Sequence, residues 1–185
     1  HENELGSQTA SWLFNWYYKK NRRDFLQNGR LSRKDARFIN NYFDFSLPTI
    51  DQVQKAQDKT VKFLIKLSDG KKVESVLIPF QGKYTLCLSS QVGCAMNCSF
   101  CFTGTQGFFR NLKISEIIGQ FLLAQSWLSE NRPDDSRILN VVFMGQGEPL
   151  HNFEAVKTSA EIMISQHGLS LAPYKITLST AGYLP

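Results

Sequence analysis

The chain has 185 residues, of which 42% are hydrophobic, and a formal net charge of +5 at pH 7. This length and composition allow one domain of ordinary size and a small additional one. No apolar run approaches the roughly 20 residues of a membrane span, and the residues before the first predicted helix do not show the charged-then-apolar pattern of a leader with a small-residue cleavage site. We therefore expect no membrane partner, whereas the basic excess is compatible with a polyanion.

Residues 1–50 are predicted to form a small helical domain. Residues 8–26 have helical spacing of apolar side chains, and Ser32 is a suitable cap for a second helix that runs to about Tyr42. Between Lys19 and Arg37 there are eight Lys or Arg and only two Asp. Basic and aromatic side chains of this kind are used in RNA recognition. A solvated helix face over an aromatic core explains the same pattern equally well.

Residues 51–82 are predicted to contain a linker followed by a β-hairpin. The stretch after Pro48 is polar, and 59–79 alternates between apolar and polar residues around a turn at Asp69 and Gly70. Glu74 falls on the same strand face as apolar neighbours, where a carboxylate is costly unless it is used or paired. The alternative is an edge strand with its glutamate in water.

From residue 84 onward, predicted strands alternate with helices, which indicates an α/β fold with parallel strands. The strands are 84–90, 137–144 and 174–179, the middle one being expected to be buried on both faces. Helices are predicted over 114–128, with Ser115 as cap, and over 152–167. Ligands of such folds bind at the carboxyl ends of the strands. Because three strands cannot close a barrel, we expect a fragment of a larger protein.

Four cysteines lie within fifteen residues, and three of them, Cys94, Cys98 and Cys101, have the spacing C-x-x-x-C-x-x-C. Three thiolates suit a soft metal centre with one open position, such as a [4Fe-4S] cluster. Structural zinc would need a fourth ligand, a redox CxxC pair would leave Cys94 idle, and a buried helical stripe conflicts with the flanking glycines. Clustered cysteines also indicate reduced thiols in a cytoplasmic protein rather than a secreted disulfide framework.

These motifs resemble the radical SAM superfamily, whose enzymes use S-adenosylmethionine (SAM) and a [4Fe-4S] cluster. The segments LCLSSQVGCAMNCSFCFTGTQGFFRNL, MGQGEPL and KITLSTAG resemble the RlmN/Cfr family of RNA adenine methyltransferases, and SSQVGC is closer to the RlmN branch. The resemblance implies that residues 83–185 are the first half of a radical SAM (βα) barrel, preceded by a helical accessory domain that binds RNA.

The resemblance also implies roles for individual residues. Gly147 and Glu148 of GQGEP, together with Ser179, would contact SAM, with the Glu148 carboxylate accepting hydrogen bonds from its ammonium group. Without the resemblance, GQGEP is a turn with a solvated glutamate and Ser179 an ordinary strand-end serine. Glu74 corresponds to the family's general base. Cys87 corresponds to a thiol that forms a disulfide with the methyl-carrying cysteine, although a lone strand cysteine is usually a small buried hydrophobe.

The implied activity is methylation of adenine carbon 2 in ribosomal RNA, and in some transfer RNAs, through a methyl-cysteine intermediate. That cysteine is expected to lie outside this chain, so that the fragment alone would bind a cluster without turning over. A flavodoxin or ferredoxin would donate the electron, and a monomer is expected. Three alternatives stay open: methylation of carbon 8, another substrate for the same chemistry, and a non-enzymatic zinc-bearing RNA-binding module. Arg110 and Lys113 are further candidates for phosphate contact.

Overall fold

The computed structural model describes residues 5–24, 29–135 and 137–183. These residues form two compact units. The first contains the described residues up to Ser46 and Ile162–Ser170, and the second contains Leu47–Glu161 and the described residues from Leu171 onward. Among the described helices, none combines the length and the apolar character that a membrane crossing requires.

The first unit is helical, as the sequence predicts. Helix α1 spans Ser7–Phe14 and continues as a π-helical turn over Asn15–Lys19, so it ends earlier than the predicted 8–26, of which 25 and 26 lie outside the described residues. Helix α2 spans Arg33–Tyr42, and the Ser32 hydroxyl caps it by accepting the backbone N–H of Asp35 at 3.1 Å. The small core consists of Leu13, Ile39, Leu5, Trp12, Trp16, Leu31 and Phe45.

The second unit is built on a six-stranded sheet with the order β1-β2-β3-β4-β7-β8. Its strands are β1 (Thr49–Lys55), β2 (Val61–Lys66), β3 (Lys72–Phe80), β4 (Lys83–Cys87), β7 (Ile138–Phe143) and β8 (Ile176–Leu178). Strands β1 to β4 pair antiparallel, whereas β4, β7 and β8 pair parallel. The parallel part confirms the α/β prediction of a partial barrel preceded by a hairpin.

Two segments differ from the predicted secondary structure. The polar stretch after Pro48 is strand β1 rather than a linker, because it pairs with β2 along the edge of the sheet and can therefore keep its polar side chains in water. The stretch from 91 to 113, predicted as one long loop, contains a two-stranded sheet of β5 (Gln91–Gly93) and β6 (Phe108–Asn111) and the short helix α3 (Phe102–Thr105).

Two helices connect the parallel strands: α4 (Ile114–Asn131) between β4 and β7, and α5 (Phe153–Ile164) between β7 and β8. The predicted cap at Ser115 is wrong, because the cap of α4 lies two residues earlier. Its N-cap is Lys113, whose backbone N–H donates to the Glu116 carboxylate at 2.8 Å. A carboxylate in the first helical turn satisfies an N–H group that lacks a helical partner.

The sheet buries one face and leaves the other half-exposed. On the buried face, the apolar positions of the hairpin pack against α4, where the rings of Phe63 and Trp127 meet edge to face at 5.5 Å. The opposite face carries Glu74, Cys87 and Val142, which are half-buried. The expectation that 137–144 is buried on both faces is therefore wrong, since only Ile138, Val141 and Phe143 of β7 are fully buried.

Candidate functional site

The carboxyl ends of the three parallel strands carry three segments that meet at one edge of the sheet. After β4 comes the Cys loop (residues 94–107), whose ends are held by β5 and β6; after β7 comes the GQGEP segment (145–149); after β8 comes the STAG segment (179–182). The backbone N–H groups of Ser90 and Gln91 donate to the Gln146 carbonyl at 2.8 and 3.1 Å. These bonds join the chain that leads into the Cys loop to the GQGEP segment.

Glu148 joins the GQGEP segment to the STAG segment. Its side chain is buried, and its two carboxylate oxygens accept the backbone N–H groups of Leu150 at 3.0 Å and Ala181 at 2.8 Å. The alternative explanation, a turn with a solvated glutamate, is therefore wrong. A carboxylate can accept about four hydrogen bonds, so two backbone donors leave room for a ligand's ammonium group.

Gly147 has a backbone conformation that favours glycine, with φ of +98°. A Cβ atom at this position would lie 2.4 Å from the Cβ of Gln91, so the space beside Gly147 is occupied by that side chain. Gly147 was expected to contact a ligand, but in the structure the group that lies against it is the Gln91 side chain. Ser179 follows β8 immediately and is exposed, with its hydroxyl at the edge where the other segments meet.

The Cys loop is closed at its neck. Gly93 and Gly107 pack backbone to backbone, since a Cβ at Gly93 would lie 1.9 Å from the Gly107 carbonyl oxygen, and the Cys94 N–H donates to that oxygen at 3.0 Å. Within the loop, the Cys101 N–H donates to the Cys98 carbonyl at 3.0 Å. All three predicted ligands therefore lie in one short loop that β5 and β6 fix at both ends.

The three thiols are half-buried and free, and they do not converge on one point. Within the part of the chain that the structure describes, no three His, Cys, Asp or Glu side chains are grouped closely enough to hold a metal ion. The donor set itself fits a [4Fe-4S] cluster with one open iron, because three thiols in one loop present only soft sulfur ligands. Metal-binding loops often take up their final geometry only when the metal binds.

The local environment favours the thiolate form of Cys101. The backbone N–H of Gly104, with a smaller contribution from Thr103, lowers the pKa of the Cys101 thiol by hydrogen bonding to the charged sulfur. Cys101 is the N-cap residue of the short helix α3, so the N–H groups of the first helical turn follow it directly. The ring of Phe100, the residue before Cys101, is 91% exposed and therefore accessible from solvent.

Glu74 and Cys87 share the half-exposed face of the sheet on adjacent strands. Cys87 lies directly opposite Val76, and Glu74 is two residues from Val76 along β3, so both side chains point to the same side. Diagonal neighbours of this kind have Cα atoms about 7–8 Å apart. The two residues that the family resemblance assigns to base and thiol chemistry are therefore neighbours, although they lie in different sequence motifs.

The Glu74 backbone is tied to the strand ends that carry the site. Its carbonyl accepts the Ser89 hydroxyl at 2.6 Å, and its N–H donates to the Gln146 side chain at 3.3 Å. The Glu74 carboxylate pairs with Lys62 of β2 at 2.9 Å, with about 40% of each side chain exposed. The glutamate is thus neither buried among apolar groups nor simply solvated, because an ammonium group on the neighbouring strand neutralises it.

The Cys87 thiol lies in a less polar environment than the loop cysteines. Burial raises its pKa, and the backbone N–H of Met144 partly offsets this effect. Cys87 is free, as are the other three cysteines, so the expected disulfide has no counterpart in the structure. A raised pKa means that Cys87 is mostly a neutral thiol near pH 7 and needs a proton acceptor before it can attack sulfur.

Arg110 makes internal ion pairs, contrary to the phosphate contact predicted for it. Its guanidinium donates two hydrogen bonds of 2.8 Å to the Glu116 carboxylate and one of 2.8 Å to Asp69 in the hairpin turn. Both acidic partners raise the pKa of Arg110, Glu116 more than Asp69. Its donors are therefore engaged in joining β6, the turn between β2 and β3, and α4.

In the first unit, the basic side chains near α1 lie over aromatic rings. Arg22 stacks over Trp16 at 5.7 Å, and Arg23 over Tyr17 at 5.8 Å. Arg22 also pairs with Asp24 at 2.9 Å. The aromatic-core explanation thus accounts for this stretch. Helix α2 instead lines an open groove with basic and aromatic side chains, among them Arg33, Lys34, Arg37, Phe38 and Tyr42.

Sequence reasoning missed four polar residues that hold the site together: Gln91, Asn111, His151 and Asn152. Gln91 contacts Asn111, His151 and the backbone of Glu148, and Asn152 donates to the carbonyls of Ser90 and Leu112 at 2.8 and 2.9 Å. The sequence offered one signal for this group: Gln91 is an amide residue within a stretch of small and apolar residues that leads to Cys94. Its partners come from segments up to sixty residues away, which no local pattern identifies.

Comparison with solved structures supports the class of protein that this fold and site define. The chain superimposes on a radical SAM methyltransferase from Sphaerobacter thermophilus with a TM-score of 0.82 and 32% sequence identity. The match covers 94% of this chain and 50% of the other. The α/β architecture with its parallel strands is therefore that of a radical SAM methyltransferase in the region compared.

Among curated proteins, the chain is similar to dual-specificity RNA methyltransferases RlmN. It is 42% identical to the protein of Cereibacter sphaeroides over 182 residues and 42% identical to that of Nitratidesulfovibrio vulgaris over 186 residues. The alignments cover 95% and 97% of this chain but 46% and 51% of the relatives. No family model matches the chain. These similarities confirm the resemblance to the RlmN branch, and the chain spans about half the length of the curated relatives.

Proposed function

We propose that the chain is the cluster- and SAM-binding part of a radical SAM methyltransferase that modifies carbon 2 of adenine in RNA. The observation that carries the proposal is the junction of three segments at the carboxyl ends of β4, β7 and β8. The Glu148 carboxylate bonds to the Ala181 N–H at 2.8 Å, and the Glu148 N–H bonds to Gln91 at 2.9 Å. The Cys loop therefore lies next to the GQGEP segment. This proximity is needed if the loop holds the cluster and the segment holds a SAM molecule bound to the open iron.

In this proposal Cys94, Cys98 and Cys101 hold a [4Fe-4S] cluster, and the lowered pKa of Cys101 favours its thiolate as a ligand. When bound, the cluster supplies the electron that splits a C–S bond of SAM. The remaining lone pairs of Glu148 accept the ammonium group of SAM, and the exposed Ser179 hydroxyl contacts the same ligand. Gly147 precedes Glu148 in the same segment, and its backbone is proposed to contact the same ligand.

Glu74 is proposed as the base that removes the proton from the methylated ring carbon, and Cys87 as the resolving thiol. Their shared, half-exposed sheet face supports this assignment, because a substrate that reaches one residue reaches the other. Lys62 orients the Glu74 carboxylate from the neighbouring strand. Since burial raises the pKa of Cys87, the thiol must lose its proton before it can attack sulfur and form the disulfide.

The proposed substrates are ribosomal RNA and some transfer RNAs. The groove along α2 supports RNA binding, because it combines Arg33, Lys34 and Arg37 with the exposed ring of Tyr42. We further propose a monomeric cytoplasmic protein that receives its electron from a flavodoxin or ferredoxin. A methyl-carrying cysteine would come from sequence beyond these residues.

Metal analysis after anaerobic reconstitution tests the cluster. We expect iron and sulfide in the wild-type protein and in Cys87→Ala, but not in variants that replace Cys94, Cys98 or Cys101 by alanine. Cys87→Ala is the matched control, because it removes a thiol outside the Cys loop. Zinc without iron or sulfide would overturn the proposal in favour of the RNA-binding module.

Mass spectrometry of nucleosides from treated RNA tests the reaction. Within a catalytically complete protein, Glu74→Gln is expected to abolish 2-methyladenosine while cluster content stays at the wild-type level. Glu154→Gln, at an exposed position of α5, serves as the control and is expected to leave the product unchanged. The appearance of 8-methyladenosine instead would support the carbon 8 alternative, and loss of cluster in Glu74→Gln would contradict a role as base.

A further inference from the structure

We propose that Gln91 is a positioning residue that sets the Cys loop and the GQGEP segment in one fixed geometry. The inference rests on the proposed function, since it concerns how those two segments act on the same ligand. Gln91 is completely buried, and each polar group of its side chain has a partner in the site. It lies on β5, at the point where the chain enters the Cys loop.

The Gln91 side chain contacts the GQGEP segment and the strand that leaves the Cys loop. Its Oε1 accepts the Glu148 backbone N–H at 2.9 Å, and its Nε2 donates to Asn111 Oδ1 at 2.7 Å and to His151 Nδ1 at 3.2 Å. Asn111 is the last residue of β6, the strand that leaves the Cys loop. The Gln91 amide therefore connects Asn111, on the strand that leaves the Cys loop, to Glu148 of GQGEP.

Two backbone groups determine how the side-chain amides of Gln91 and Asn111 are oriented. The Glu148 N–H can only donate, so it must meet the oxygen of Gln91. The His151 carbonyl can only accept, and it takes the Asn111 Nδ2–H at 3.1 Å, which turns Asn111 Oδ1 toward Gln91. His151 Nδ1 then faces an N–H donor, so the neutral imidazole carries its proton on Nε2.

The His151 ring extends this connection to the third segment. It packs against Phe108 of β6 at 5.4 Å and against Tyr183, directly after the STAG segment, at 4.9 Å. A glutamate at position 91 would keep the acceptor for Glu148 but place lone pairs against Asn111 and His151. Residues that orient a metal site in this manner typically affect metal or ligand affinity by roughly tenfold to a hundredfold.

The test compares Gln91→Glu and Gln91→Leu with wild type and with Gln8→Glu, a control at an exposed glutamine of α1. After anaerobic reconstitution, SAM affinity is measured by equilibrium dialysis, and the reduced cluster is observed by electron paramagnetic resonance with and without SAM. We expect wild-type iron content in all four proteins and SAM affinity weaker by roughly tenfold or more in both Gln91 variants. We also expect these variants to lose the SAM-induced spectral change. Wild-type affinity and spectra in the Gln91 variants would overturn the inference.

Nitrogen-15 NMR of the metal-free protein separates this inference from the proposed function. We expect the Nε2–H tautomer for His151 in wild type, identified by its absence in His151→Phe, and a mixture of tautomers in Gln91→Leu. If wild type binds no SAM, the proposed function fails, and an altered tautomer in Gln91→Leu still supports the positioning contact. If the Gln91 variants do not fold, Asn111→Ala, at an exposed position, replaces them. Unchanged SAM affinity in Asn111→Ala would then overturn the inference.

Discussion

Replacing Arg110 by methionine is expected to destabilise the second unit substantially, because it isolates a buried carboxylate. The Glu116 side chain is 8% exposed and receives two guanidinium hydrogen bonds of 2.8 Å, whereas the Arg110 side chain is 27% exposed. Breaking a fully buried ion pair costs about 3–5 kcal/mol. Water reaches Arg110, and the Lys113 N–H still binds Glu116 in the variant. We therefore expect Arg110→Met to lower the free energy of unfolding by about 2–3 kcal/mol.

Urea unfolding of a double-mutant cycle measures this interaction. Arg110→Met combined with Glu116→Leu is expected to be less costly than the sum of the single changes, because no unpaired charge then stays buried. Arg137→Met, at an exposed arginine before β7, is the control and should cost less than about 0.5 kcal/mol. An Arg110→Met variant as stable as this control would refute the reasoning.

The second ion pair of Arg110, with Asp69, gives the stability a pH dependence with a definite sign. Arg110, the main cause, lowers the pKa of Asp69 below its usual value of 3.8, and the Lys71 N–H adds to this effect. A lowered pKa in the folded state contributes stability above the unfolded value that is lost as the pH falls through the folded value. Arg110→Met should therefore flatten the acid side of the stability profile.

Two further predictions concern single positions. Gly147→Ala should cost about 1–3 kcal/mol more in urea unfolding than Gly70→Ala, because both bear backbone strain but only Gly147 faces a side chain at 2.4 Å; equal costs would contradict the close packing. In metal-free, reduced protein near neutral pH, iodoacetamide should label Cys101 faster than Cys87, because the pKa of the former is lowered and that of the latter is raised. Peptide mapping at successive times measures both rates, and faster labelling of Cys87 would show that its thiol is not shielded.

The sequence predicted those parts of the fold that depend on local periodicity and turn chemistry. The hairpin, the Ser32 cap and the alternation of strands and helices after residue 84 all follow from patterns within about twenty residues. Strand β1 was missed because an edge strand has one free side and can keep a polar composition. The burial of β7 on one face only was missed because its apolar run does not reveal which neighbours cover it.

The candidate site was predictable in outline but not in its contacts. Motif position relative to the strands indicated that three segments meet, since carboxyl ends of parallel strands lie at one edge. It did not indicate that Glu148 would bind the Ala181 N–H, or that Arg110 would prefer Glu116 to a phosphate. Those choices depend on distances between side chains far apart in sequence, and several partners compete for each charged group.

The ends of the Cys loop and its interior should tolerate mutation differently. Gly93 leaves no room for a side chain against the Gly107 carbonyl, so the loop must start and finish at fixed points. Inside those points, extra residues lengthen a loop that is already closed, which adds little entropy cost. Relatives could therefore diverge in the residues between the cysteines, and even carry insertions there, while the strands beneath keep their register.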